Sequence, residues 1–497
     1  MNNPHDFYRD PQVIARILEY CGVSLEKTKE FRYEQHLQGL NQSTIIRQLA
    51  NQMTAEYLAG VGSWVKEVKH KSSATSRKPE GLGELLDHDL NLFRSVWDRE
   101  SLVFFLDVEY TSEKYPGEAY ANPRRTFELL EPVYQCIYDF FREFEIEPMT
   151  IATGQGYHFV FSVDSYCNRD GKHQVTEIAN RIAQQGYVES TLAGKYTHIP
   201  PGQKRTRRVE IELGKAFDTC GKLLEYSAQQ IINRVARYGL KIPIGIGDLS
   251  PGNPMQECIN LDLSTYADGL DTRVMRTVFS IHDKNRKDKG VCHLPIKISI
   301  PRHTPCNGNT LTLNEIFKNR EHFEHSANYA RAITTSIPEC SKGVDRLLES
   351  YLRSPLYQFH LDFDRTNHDS PDRWPYTYDR LDLQQLPPCV QGIMENPSPA
   401  LLQPKQIQTL VRVLTGKQWW HPKHVAGLIR SKYERGHGWP YNFSRYDATT
   451  HANTWTRIYT GMLVTGLDQR TDQNCISHQQ RGLCPKSFCG YNLADYR

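Results

Sequence analysis

The chain has no apolar run approaching the ~20 residues that a membrane-spanning helix requires. Its first residues, Met1-Asn-Asn-Pro-His-Asp6, contain no apolar core of a secretory signal. It also lacks an excess of either charge: 60 Lys and Arg against 57 Asp and Glu leave a net +3. Such a balance conceals local basic patches rather than excluding them. No internal repeat emerges. Hydrophobic residues make up 39%, charged residues 24% and aromatic residues 11% of the 497, an ordinary globular composition. Disorder as the main state, collagen-like repeats and a disulfide-dense miniprotein are thereby excluded. At about 150 residues per domain, roughly two to four domains are expected. With no signal for export, the twelve cysteines are expected to be buried thiols with a metal-binding subset, not a disulfide framework, and the cytoplasm is the expected address. Three of them, Cys475, Cys484 and Cys489, crowd into the last 23 residues.

Hydrophobic spacing divides the chain. Val13, Ile14, Ile17 and Leu18, then Ile45, Ile46, Leu49 and Met53, repeat at helical intervals, so residues 1–84 are expected to be a helical N-terminal region. Residues 70–80 are polar and predict a mobile loop. From Ser101 the β-branched and aromatic density rises, predicting a strand that ends in two acids. A helix over 124–144, a strand Tyr157–Val163, a helical segment near 173–186 and a short strand at 208–213 should follow. Alternating strands and helices imply an α+β or α/β core over residues 85–345. Residues 346–384, rich in Asp, Pro, Arg and Tyr, suggest a connector. Beyond Cys389 the stripes Ile407, Leu410, Val411, Leu414 and Val425, Leu428, Ile429, Tyr433 predict a mainly helical domain over 385–497.

Three motifs carry chemistry. Asp107 and Glu109 stand two apart at a strand end, so both carboxylates leave on one face, and two hard oxygen ligands suit Mg²⁺ or Mn²⁺. Gly154-Gln-Gly156-Tyr-His158 is a glycine-flanked turn that would let backbone N–H groups approach phosphate. Asp262 ends another apolar run, and Arg276, Ser280, His282 and Lys284 follow as cationic and hydroxyl donors suited to a triphosphate. Taken singly, the first two motifs read rather as an ordinary strand end and a plain turn, and the third is open to being a solvated basic loop.

Their order is the specific feature. A D-x-E pair, a G-x-G-x-H strand, then a lone Asp before Val274-Met-Arg-Thr-Val-Phe-Ser-Ile-His-Asp-Lys284 resembles the catalytic small subunit of the archaeo-eukaryotic primase superfamily over roughly 85–300. Glu109 stands where many members carry Asp, and Gly156-Tyr-His replaces their serine-containing turn. Asp271 competes with Asp262 for the third acid; Asp262 is preferred because it ends an apolar run 14 residues before Arg276. The resemblance implies two-metal nucleotidyl transfer, with Asp107, Glu109 and Asp262 holding two Mg²⁺ or Mn²⁺ ions. Gly154, Gly156, His158, Arg276, Ser280, His282 and Lys284 would bind the incoming nucleotide. Arg207 and Arg208 are either template contacts or a solvated basic run.

The spacing of Cys475, Cys484 and Cys489 is too wide for a zinc knuckle, and three local thiols require a distant fourth ligand. Leu386-Pro-Pro-Cys389 supplies the nearest candidate. This arrangement resembles the C-terminal domain of the primase large subunit over about 385–497, which implies a [4Fe–4S] cluster on Cys389, Cys475, Cys484 and Cys489. Cys292, Cys306 and Cys340 are substitutes for Cys489, and a zinc site including His478 is the alternative. Between these cysteines, Lys417–Trp439 interleaves cations with Trp419, Trp420, Tyr433 and Trp439, a pattern suited to single strands. Lys423, Arg430 and Lys432 are expected to face outward, and in the family the helix after P-P-C carries triphosphate-holding cations, here Lys405 and Arg412.

The expectation is therefore a single-chain primase–polymerase, α+β with mixed sheets and flanking helices, fused to a helical Fe–S domain. Tethering would replace subunit association. Its partners would be a single-stranded DNA template and NTPs or dNTPs, with no membrane. A repair polymerase that only extends primers, and an inactive single-strand binder, are the alternatives. The biological setting (a mobile element, defence, repair or replication) and the accompanying proteins stay open.

Overall fold

A computed structural model describes residues 3–30, 42–62, 74–169, 172–189, 196–197, 208–247, 257–282, 294, 296–396, 399–416, 420–433, 448–470, 474–486 and 488–496. Lys284, Arg207, Trp419, Trp439 and Cys292 lie outside the described residues. The chain is mixed α+β and divides into two units. The first comprises Met1–Val188, Leu192–Cys220 and Leu270–Arg346; the second comprises Glu189–Thr191, Gly221–Gly269 and Leu347–Arg497. Residues 1–84 thus group with the first unit, and Gly221–Gly269 with the C-terminal residues. Among the described residues, no helix is long and apolar enough to cross a membrane.

In the first unit, helix α1 (Pro11–Tyr20) starts at an Asp10 N-cap with proline at its first position, and buries Val13, Ile14, Ile17 and Leu18 as their spacing predicts. Strands β1 (Leu58–Val61), β2 (Ala74–Arg77) and β3 (Asn91–Ser95) follow. Ala74–Arg77, expected within a loop, is an edge strand paired with β1, so backbone hydrogen bonding overrides its polar composition. Next come β4 (Ser101–Ser112), β5 (Met149–Ala152), β6 (Gly156–Asp164), β7 (Val274–Arg276), β8 (Ile281–His282), β9 (Lys297–Ile298), β10 (Ile300–Thr304) and β11 (Asn309–Thr310). One antiparallel sheet runs β7–β3–β1–β2, and in the other β4–β6–β5–β10–β11 are successive neighbours. A separate antiparallel pair joins β8 to β9.

The register of β4 against β6 decides where the acids go. Phe104 opposes Phe161 and stacks on it at 4.9 Å, and Asp107 opposes His158. Helix α2 (Glu118–Ala121) leads into α3 (Pro123–Glu143), which begins at an Asn122 cap with Pro123 in its first turn. Phe127, Tyr134 and Phe141 of α3 pack on Tyr157, Phe159 and Phe161 of β6. Because side chains alternate along a strand, this burial sends His158, Asp107 and Glu109 to the opposite face. Helix α4 (Leu313–Glu321), closed by a Thr312–Glu315 capping box, carries the remaining side chain of interest, Arg320.

The second unit is mainly helical. It contains α5 (Pro355–Arg365), α6 (Pro388–Glu395), α7 (Pro404–Gly416), α8 (Pro422–Tyr433), α9 (Ala448–Val464) and α10 (Cys475–Gln480). Ile407, Leu410, Val411 and Leu414 on α7 and Val425, Leu428 and Ile429 on α8 are buried as their periodicity requires. The expected connector holds α5, started by Ser354 and Pro355. A parallel pair, Ile244–Ile246 with Glu257–Asp262, completes the unit. At its centre Glu225 receives Arg457 at 3.4 Å and His360 at 3.2 Å, all three buried.

Candidate functional site

Asp107 and Glu109 flank the buried Val108 on β4, and each is only half-buried, so both leave the strand on the same face. His158 places Nε2 3.6 Å from Asp107 Oδ1 and rests edge-on against Phe105 at 4.8 Å. Burial, reinforced by the Arg276 charge, pulls the His158 ring down to about 3, so it is neutral at physiological pH.

The turn before β6 is built differently from expectation. Thr153 Oγ1 accepts hydrogen bonds from the backbone N–H groups of Gln155 and Gly156, so these amides are already satisfied within the protein. A Cβ on Gly156 would stand 1.8 Å from the Val108 carbonyl oxygen, and one on Gly154 would stand 2.4 Å from His282 Nδ1. Both glycines are thus required by close approach of the protein to itself.

Arg276 and His282 come from β7 and β8. Between them Phe279 is fully buried with φ of +55°, a left-handed conformation that bulky residues rarely adopt. Its N–H donates to the Ser299 carbonyl at 2.7 Å. Arg276 lies 4.5 Å over the Phe93 ring and donates through Nη1 to the Ile281 carbonyl at 2.9 Å. Burial lowers its guanidinium to about 10, which leaves it charged. His282 Nδ1 is 2.5 Å from Tyr120 Oη on α2, and burial with the charges of Arg276 and Arg320 holds the ring neutral. Ser280, expected to face a phosphate, instead ties strands: its Oγ accepts from Leu92 N at 2.8 Å and donates to the Ile281 carbonyl at 3.0 Å.

The first unit therefore brings together Asp107, Glu109, Gly154, Gly156, His158, Arg276, Ser280 and His282. Asp262 belongs to the second unit, where it ends the strand Glu257–Asp262 and accepts from Ser264 N and Oγ at 2.8 and 3.0 Å. Its competitor Asp271 sits exposed on a short 3₁₀ turn. Tyr120 and Arg320 were not legible in the sequence, since neither stands at a diagnostic spacing from the motifs. Among the described residues, no three His, Cys, Asp or Glu side chains converge as a ready metal site. The donor chemistry of Asp107 and Glu109, two carboxylates on one strand face, nevertheless suits a hard divalent cation.

In the second unit, Cys389 opens α6, Cys475 opens α10, and Cys484 and Cys489 follow. All four are free thiols. Burial, then the charges of Cys484, Cys475 and Cys489, push the Cys389 thiol up to about 12, so Cys389 stands near enough to feel the other three. Leu493 N donates to Cys475 Sγ at 3.3 Å, the kind of contact that tunes sulfur ligands. By donor chemistry four thiols match an iron–sulfur cluster, but among the described residues they do not converge as a ready metal site. Cys306 and Cys340 belong to the first unit. His478 is buried, with Nε2 3.0 Å from Thr409 Oγ1.

The expected nucleic-acid face of this unit needs correction. Lys423 and Arg430 do not face outward. Lys423 is 0% exposed and pairs with Glu189 at 3.0 Å, while Arg430 is 6% exposed and contacts His368 Nε2 at 3.2 Å. Arg412 is also buried, bound to Asp468 at 2.5 Å. Charges this deep require partners, and these residues have protein ones. Lys405, Lys432 and Trp420 are half-buried, while Arg208 is exposed.

No family model matches the chain, and no curated protein or solved structure matches it.

Proposed function

We propose that the chain is a primase–polymerase that joins nucleotides on a single-stranded DNA template by two-metal nucleotidyl transfer. The observation that carries this reading is the pairing of Asp107 with His158 across β4 and β6, with Arg276 and His282 in the same unit. Asp107 and Glu109 would hold the divalent ions, with Asp262 as the third acid that the sequence resemblance supplies. Bound metal would activate the attacking 3′-hydroxyl and stabilise the leaving pyrophosphate. Arg276 supplies fixed positive charge in a dry setting, where it acts more strongly than in water. Neutral His282, steadied by Tyr120, and neutral His158 offer ring nitrogens without adding repulsion to that charge. Cys389, Cys475, Cys484 and Cys489 would hold a [4Fe–4S] cluster, which when bound would tie α6 to the C-terminal residues.

The test is nucleotide incorporation with Mn²⁺ on unprimed and primed single-stranded DNA. Wild type should extend, and Asp107→Asn should lose activity by at least 100-fold, on the order of a lost catalytic electrostatic contact. Equal product from both proteins would refute the assignment. A primer-extending polymerase is the second reading. It is favoured by the burial of Arg412, Lys423 and Arg430, which leaves fewer cations to hold an initiating nucleotide. Product on primed templates alone would select it.

A further inference from the structure

Arg320 is a buried cation whose one role so far is its charge on the His282 ring. It lies on the last turn of α4, fully inaccessible, with its guanidinium 4.6 Å from the centre of the Phe127 ring. Its Nη2 donates to the Gly154 carbonyl at 3.1 Å. Its Nε and Nη1 are buried and have no acceptor among the described residues. Buried guanidinium donors are normally satisfied, and two orphaned donors on one fork call for an explanation. The neighbouring acid does not provide it, because Glu321 takes the Lys297 ammonium at 2.5 Å. Arg276 is likewise buried, and its hydrogen bonds go to a carbonyl and to Asn91 rather than to a carboxylate. Both guanidinium charges act on the His282 ring that stands between Tyr120 and the Gly154 turn.

Among the described residues neither buried arginine has a hydrogen-bonded carboxylate, and Asp107 and Glu109 act on Arg276 only through space, so guanidinium donors are left open beside the neutral histidines. A planar fork with two open donors matches a phosphate oxygen pair more closely than a point cation would. We infer that Arg320 is a nucleotide-binding residue that, together with Arg276, grips the polyphosphate chain of the incoming nucleoside triphosphate. Its third donor meanwhile steadies the Gly154 carbonyl and so holds the turn against His282. This assignment rests on the nucleotidyl-transfer reading.

Inorganic tripolyphosphate is the probe, with binding read by calorimetry and by the shift in unfolding temperature, alongside KM for nucleotide in primer extension. Wild type should bind it. Arg320→Gln should bind at least tenfold more weakly and raise KM more than it lowers kcat. Arg331→Gln, an exposed arginine on a neighbouring helix, should match wild type. If Arg320→Gln binds tripolyphosphate as tightly as wild type, Arg320 is a packing residue and the inference falls while nucleotidyl transfer stands. If wild type extends primers but binds no tripolyphosphate, the inference also falls alone. If wild type neither extends primers nor binds tripolyphosphate, both fall. Should Arg320→Gln not fold, Arg320→Lys decides: affinity lowered at least threefold at an unchanged unfolding temperature supports the two-donor grip, and unchanged affinity overturns it.

Discussion

Replacing Gly154 with alanine tests the geometry around His282 most directly. The new methyl carbon would lie 2.4 Å from His282 Nδ1, 2.5 Å from Cε1 and 2.8 Å from Cγ. The nearest ring atoms must retreat by about 1 Å to reach ordinary van der Waals separation. That retreat stretches the 2.5 Å Tyr120–His282 contact and disturbs the Arg320 bond to the Gly154 carbonyl. Overpacking of this kind costs about 1–3 kcal/mol, and a weakened hydrogen bond adds about 1 kcal/mol. For a unit of this size the combined loss of about 2–4 kcal/mol should lower the unfolding temperature by roughly 3–7 °C. Gly156→Ala should be worse, because its methyl would meet the Val108 carbonyl at 1.8 Å within a paired strand that cannot swing aside. Gly83→Ala is the internal control: it lies in the helix Leu82–Asp87 with nothing within 4 Å, so about 0.5–1 kcal/mol of stabilisation is expected. Calorimetric melting of the three variants gives the ranking. Equal melting of Gly154→Ala and wild type, or a Gly156→Ala protein as stable as Gly83→Ala, would refute the described packing.

Arg412→Gln should destabilise the second unit by about 3–5 kcal/mol by removing the guanidinium charge that faces buried Asp468, and a urea midpoint unchanged from wild type would contradict that burial. Acid should weaken the same unit in two stages. His360 has its pKa lowered by burial, so the unfolded chain takes up a proton near pH 6.5 that the folded one refuses, and stability falls below that pH. Burial pushes Glu225 upward, but His360 and Arg457 outweigh it and hold it below 4.5, so a second loss follows on further acidification. A flat stability profile between pH 7 and 3 would contradict both shifts. In metal-free protein, exposed Cys306 should react with iodoacetamide before Cys389, whose thiol is held protonated by burial and neighbouring thiols. Mass spectrometry of a time course reads the order, and prior alkylation of Cys389 would contradict it.

Where one hydrophobic period dominates a long stretch, the fold was legible. The aromatic run of β4, the strand Gly156–Asp164 and helix α3 fall within a residue or two of their expected bounds. Short-range alternation misled at 208–213. Only Val209–Glu210 is extended, and a helix begins at Ile211, because Leu213, Ala216, Phe217, Cys220 and Leu224 are buried at helical spacing. Near 173–186, Lys172–Val175 is a strand, and the helix waits for the Thr176 cap. At the candidate site, residues adjacent in sequence to recognisable motifs were found, while Tyr120 and Arg320 are set by tertiary packing. The misassigned lysine and arginines of α7 and α8 share one cause. A cation on an amphipathic helix looks the same in sequence whether it meets water or a buried acid such as Glu189 or Asp468.

The pairing of β5 with β10 joins Ala152 to Ile300 and has a consequence during synthesis. At about 5–20 residues per second, roughly 7–30 s separate the emergence of these two residues from the ribosome. Throughout that interval β4, β6 and β5 can pair, but β5 presents an unpaired, wholly buried-type edge, Met149–Ala152. Such an edge is a template for intermolecular strand pairing. Translation speed across residues 153–300 and access to chaperones should therefore govern the soluble yield more strongly than the stability of the finished protein does.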